Sequence, residues 1–191
     1  MRRSFLLLPL AILASLVLAN SNVSLNADAP PLPWIDIPAK IEGDVPPQAD
    51  LLAIQRTMSL YPFVLDGKAW SQLDRIFHPD IWANYSGFIG VVQGLANVSE
   101  ALSTIMAPVT SQHALTTQLI QVSPNGTTAN SWTYYWANHF GTGDMYGEAL
   151  WTWGTYQDFW VKNRTSREWR IRGRQNIQMG PFFGNTSVLR L

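Results

Sequence analysis

The chain has 191 residues, no cysteine, and 13 acidic against 13 basic side chains, for a formal net charge of zero. That balance argues against nucleic acid or an anionic membrane as partner. The missing thiols exclude cysteine nucleophiles, disulfides and cysteine-ligated zinc, so the nine Trp, eight Phe and six Tyr must supply the core unaided.

The N-terminus reads as a targeting segment. Arg2 and Arg3 precede the apolar run Phe5–Leu18, and Val17-Leu18-Ala19 offers a small-residue cleavage site. Residues 1–19 are therefore expected to be a signal peptide, with a signal anchor as the alternative; the run is short for a bilayer span. No other stretch is apolar enough to cross a membrane, so the mature chain is expected to have no span and to be secreted. N-x-[ST] sequons at Asn84, Asn97, Asn125, Asn163 and Asn185 fit a glycoprotein. Asn22 also fits but lies close to the cleavage site.

Residues 20–49 contain Ala29-Pro30-Pro31-Leu32-Pro33 and Val45-Pro46-Pro47. Proline lacks a donor and blocks helix, so this is an arm or linker that Trp34, Ile35 and Ile37 can pin to the domain. The domain itself is expected over residues 50–183, with 184–191 as a tail. Asp50 is a candidate N-cap for a helix from Leu51, whose stripe runs through Ile54, Met58, Tyr61 and Leu65. Pro62 should kink or end that helix. After Gly67 a second helix is expected over 68–77, then a turn at His78-Pro79-Asp80.

Residues 81–86 read as a strand. A glycan on Asn84 must face solvent, so alternation sends Ile81, Ala83 and Tyr85 to the interior. Asn97-Val98-Ser99-Glu100 resembles a capping box for a helix ended by Pro108, although a cap and a glycan on Asn97 compete. The remainder alternates as antiparallel strands over 112–122, 127–140, 148–162 and 169–178. Turns at Ser123-Pro124-Asn125-Gly126 and at 163–167 connect them, with a loop at 141–147. Helix, helix, strand, helix, then a run of strands implies an α+β fold with a curved sheet wrapped over helices.

With these elements placed, the chain resembles the nuclear-transport-factor-2-like (NTF2-like) superfamily in its SnoaL-like branch, and within it the scytalone dehydratases. Leu65-Asp66-Gly67-Lys68-Ala69-Trp70 to Asn84-Tyr85-Ser86-Gly87-Phe88 is similar to the dehydratase Y-D-S-K-D-W…D-Y-R-S-F without a gap. Ser111-Gln112-His113 resembles its T-Q-H, and Trp169 to Phe183, through Ile177-Gln178-Met179-Gly180, resembles its closing W…D-I-R-W-G-E-F. The likeness implies an NTF2-like cone with a mostly antiparallel sheet. It also implies Asp66 as the pocket acid, His113 as a pocket histidine, and Tyr85 as the tyrosine that polarises a carbonyl through water. Related dehydrochlorinases pair an acid and a histidine at these two positions, with the histidine as base. Leu65 replaces the tyrosine before the acid. The second histidine of the family falls near Ser131-Trp132-Thr133, and its serine and asparagine near Thr155 and Gln157. Scytalone itself is thus not the expected substrate.

The chemistry expected is removal of a proton α to a carbonyl. His113 is the base, Asp66 fixes its tautomer, and Tyr85 donates to the developing enolate oxygen. The bland reading makes Asp66 a helix-end residue and His113 a satisfied strand residue. His139 is either a second acid–base group or the edge of the following loop. Trp132, Tyr134, Trp153 and Phe159, with His139, are the candidate lining for a small apolar or aromatic substrate such as a polyketide or terpenoid. Arg170, Arg172 and Arg174 alternate on the last strand, as a solvated face by default and an anion site otherwise. No cofactor and no metal is expected. The family implies a homo-oligomer, dimer or trimer. A dehydratase, cyclase or isomerase is the first reading, and a non-catalytic small-ligand binder with the same fold is the alternative.

Overall fold

The structure is a computed structural model and describes residues 28–190 apart from Glu42, Asp44, Ser86 and Phe88. The expected signal peptide and Asn22 lie outside the described residues. Helix α1 spans Gln48–Asp66 and α2 spans Leu95–Met106. The strands are β1 (Phe77–Tyr85), β2 (Gly90–Gln93), β3 (Val109–Val122), β4 (Thr128–Gly141), β5 (Ala149–Lys162), β6 (Trp169–Gln178) and β7 (Phe183–Gly184). They form one curved, unclosed sheet in the order β2-β1-β6-β5-β4-β3, with β7 pairing β5 beyond the end of β6. All pairings are antiparallel except β1 with β6, which is parallel. This is the α+β cone that the element order implies.

Helix α1 lays Ile54, Met58, Tyr61 and Leu65 into the concave face, all at most 2% exposed. Spacings of four and three residues keep them on one stripe. Val98, Leu102 and Met106 do the same for α2. Several local expectations give way to the tertiary context. Pro47, not Asp50, precedes α1, and the Asp50 carboxylate instead accepts from Lys162 Nζ at 2.6 Å and Trp169 Nε1 at 3.0 Å. Pro62 sits inside α1, which continues one more turn to Asp66. The second helix is a 3-10 segment, Trp70–Arg75, and His78-Pro79-Asp80 belongs to β1. Strand β2 was not foreseen. Helix α2 starts after Gly94, so Asn97 is no cap; its Nδ2 donates to the Gln93 carbonyl at 2.8 Å.

The described part of the arm straps the convex face. Leu32 gives its N–H to Gln157 Oε1 and takes Gln157 Nε2 on its carbonyl, both at 2.8 Å. The Ala29 carbonyl accepts from Gln175 Nε2, and Ile37 is buried with Trp132. Trp34 reaches Thr155 but stays 41% exposed, and Ile35 is exposed. The tail is not loose either: Val188 and Leu189 are buried. Among the sequons, Asn125 and Asn163 are exposed at the β3–β4 and β5–β6 tips, and Asn97 is exposed on α2. Asn84 and Asn185 are half-buried.

Candidate active site

Two elements, α1 and β3, bring the acid and the histidine together. Asp66, the last residue of α1, turns its carboxylate onto the start of β3. Its Oδ1 accepts from Ser111 Oγ and His113 Nδ1, each at 2.7 Å, and its Oδ2 accepts from the His113 backbone N–H at 2.8 Å. Burial alone pushes the Asp66 carboxyl up. The His113 ring and backbone and Ser111 outweigh it and hold the group below the usual carboxylate range. An ionised carboxylate only accepts, so Nδ1 of His113 carries the proton and Nε2 is the basic nitrogen. His113 lines a cavity of about 60 Å³, room for a few waters or a small organic fragment.

Tyr85 closes β1 and points inward, because Ile81, Ala83 and Tyr85 alternate into the core. Its hydroxyl is 3.5 Å from that of Tyr61. Burial raises the pKa of both phenols, so both stay protonated donors. Tyr135 stacks on Tyr156 with ring centroids 4.3 Å apart and donates to Asn176 Oδ1 at 2.7 Å. Gly154 makes room for that stack, since a Cβ there would strike the Tyr135 ring.

His139 also reaches the cavity wall, its ring edge-on to His113 at 5.5 Å. It is the neighbour of Ser111 across the β3–β4 ladder, not a loop residue. Burial, with the neighbouring His113 adding to it, lowers its pKa to about 4, which leaves it neutral at ordinary pH. Its Nδ1 and the Thr152 hydroxyl are buried without a partner.

The other four candidate lining residues are elsewhere. Trp132, Tyr134, Trp153 and Phe159 alternate with the inward residues of β4 and β5 and lie on the convex face. Apolar residues usually face inward, but here the cone interior takes the more polar set. Parity with His113 and His139 would have shown the reversal, since their cross-strand partners fix odd-numbered β4 residues as inward. Thr155 and Gln157 are likewise convex and hold the arm. Tyr61, Tyr135, Thr152 and Asn176 were not singled out, although Tyr61 was on the α1 stripe. Arg174 leaves the arginine row because a bulge at Arg172 shifts the β5–β6 register and turns it inward.

Among the described residues, no cluster of three or more His, Asp or Glu could hold a metal ion. No helix among them is long and apolar enough to cross a membrane.

The sequence profile of the SnoaL-like domain family matches residues 48–175, two thirds of the chain. No curated protein matches. Solved structures share the fold. A protein from Novosphingobium aromaticivorans, provisionally assigned as a scytalone dehydratase, superposes with a TM-score of 0.63 at 22% identity, over 72% of this chain and 88% of its own. The hexachlorocyclohexane dehydrochlorinase of Novosphingobium barchaimii gives 0.62 at 14% identity, over 72% and 91%. The Kfla4162 protein of Kribbella flavida gives 0.64 at 16% identity, over 75% and 99%.

Proposed function

The chain belongs to the SnoaL-like domain family, and from that membership we propose that it is a lyase or isomerase acting by acid–base chemistry without a cofactor. Its substrate would be a small hydroxylated carbonyl compound. His113 Nε2 takes the proton α to the carbonyl. Asp66 holds the tautomer and stabilises the imidazolium that forms. Tyr85 donates to the oxygen on which negative charge develops. Loss of the β-hydroxyl, which takes that proton from the His113 imidazolium and leaves as water, gives dehydration, and return of the proton to another carbon gives isomerisation. The single observation that carries the reading is the Asp66–His113 contact at 2.7 Å on the wall of a cavity. Chemistry named for the neighbours, dehydration and dehydrochlorination, agrees with it.

A panel of β-hydroxy ketones in deuterated water tests the reading, with α-proton exchange followed by NMR. Wild type should exchange at least one member, and His113→Ala should not. Exchange that survives His113→Ala would remove the base. A ligand that co-purifies in native mass spectrometry and is never turned over would favour the binding protein instead. Polyketides and terpenoids that carry such a carbonyl belong in the same panel.

We further propose that the protein is secreted, glycosylated and homo-oligomeric. The basic-then-apolar N-terminus supports secretion, and the exposed tips at Asn125 and Asn163 can carry glycans. The uncovered convex aromatics support association. Enzymatic deglycosylation followed by peptide mapping reads the first two, and light scattering the third.

A further inference from the structure

One wall of the cavity holds more buried protons than it has acceptors for. Tyr61 and Tyr85 are 1% and 4% exposed and line the cavity, with their hydroxyl oxygens 3.5 Å apart. One donates to the other, so one hydroxyl proton is left unspent. Behind them lies Arg174, fully buried, its Cζ 4.3 Å from the Tyr61 ring centroid and 4.2 Å from that of Tyr156. Its Nε and Nη2 donate to the two Asp158 oxygens at 2.7 and 2.8 Å. Its Nη1 has no acceptor. Burial alone would push the guanidinium toward losing its proton, and Asp158 more than offsets that, so the positive charge is permanent. Arg174 also pulls against the burial that raises both phenols.

Buried donors without acceptors are costly, and a folded protein keeps few of them. A neutral hydroxyl would bring another proton to this wall. An anionic oxygen brings none and accepts from several donors at once. We propose that Tyr61 and Tyr85, backed by Arg174 and Asp158, form a site for an anionic oxygen of the ligand, an enolate or phenolate. Tyr61 and Tyr85 touch that oxygen. Arg174 is a positioning residue that acts through the two hydroxyls, and Asp158 holds Arg174 in place. The inference extends the acid–base reading, because the oxygen bound here is the one charged when His113 removes a proton, yet the site can be tested without turnover.

The probe is 4-nitrophenol, whose phenolate absorbs in the visible, titrated by absorbance at several pH values. Wild type should bind the phenolate and lower the apparent pKa of the bound probe. Tyr61→Phe and Tyr85→Phe should each weaken phenolate binding by about ten- to hundredfold, the worth of one hydrogen bond to a charged group. Arg174→Lys should keep part of the pKa shift that Arg174→Met loses; if neither folds by circular dichroism, the two tyrosine variants decide. Binding of neutral phenol only, no binding at millimolar probe, or phenolate affinity unmoved by both Tyr→Phe changes overturns the site. His113→Ala separates the two claims. Phenolate binding kept there supports the anion site, and turnover kept there sinks the acid–base reading alone.

Discussion

Two faces of one strand divide the labour of this molecule. The inward residues of β4 are Ser131, Thr133, Tyr135, Ala137 and His139, all at most 4% exposed. The outward residues include Trp132, Tyr134, Trp136 and Phe140, and only Trp132 is buried, under the arm at Ile37. Tyr134, Trp136 and Phe140 are 39–45% exposed. The more apolar face is the one nearer solvent. A cone built only for stability would be filled the other way. The buried polar face carries the histidine, threonine and tyrosine near which the proposed acid–base chemistry is set. The arm covers part of the aromatic face.

The contrast can be broken from the inside with the largest effect. His113→Ala removes the one basic nitrogen held by Asp66 and should cut turnover by about 10²–10⁴-fold, the usual contribution of a positioned base, with the fold intact by circular dichroism. Asp158→Ala strands the fully buried Arg174 charge and should cost about 3–5 kcal/mol in chemical denaturation. Asp158→Asn, which keeps one acceptor, should cost less.

The polar interior also predicts an acid limb. His139 is lowered from 6.5 to about 4 by burial and His113. The unfolded chain therefore binds a proton before the folded one does, and stability falls as pH drops from 6.5 toward 4. The loss from this residue is on the order of 3 kcal/mol, and His139→Asn should flatten that part of the stability–pH curve. Asp66 adds a second loss at lower pH: its folded value is depressed, so its contribution is present above the unfolded carboxylate value and disappears as pH falls through the folded one.

The smallest effect on stability belongs to the outer face. Trp136→Ser, at a 45% exposed position, should change unfolding free energy by about 0.5 kcal/mol or less. It should shift light-scattering mass downward if copies associate through this face. Trp132→Ser, beneath the arm, should cost several times more and loosen protection of residues 29–37 in hydrogen exchange.

How much of this was legible follows from which signals are local. The α1 stripe, the hairpins and the order of elements are carried by periodicity and turn residues, and so the cone could be read. Tyr85 faced inward by simple alternation from a sequon. The Asp66–His113 pairing joins positions 47 apart, and only the likeness to a known family pointed to it. The orientation of β4 and β5 is not legible from hydrophobicity, because their aromatic residues lie on the outer face. Arg174 was hidden by one extra residue in β6, a bulge with no sequence mark beyond Gly173 beside it. Strand β2 is four residues long, and the parallel pairing of β1 with β6 is wholly non-local. Neither leaves a period to detect.

The central claim is that Asp66 holds a proton on His113 Nδ1 and so leaves Nε2 as the basic nitrogen. Nitrogen-15 NMR of histidine-labelled protein, with assignment by His113→Ala, reads this directly. The 2.7 Å contact predicts a slowly exchanging proton on His113 Nδ1 that disappears in Asp66→Ala. A dominant Nε2–H tautomer, or an even mixture unaffected by Asp66→Ala, would contradict it.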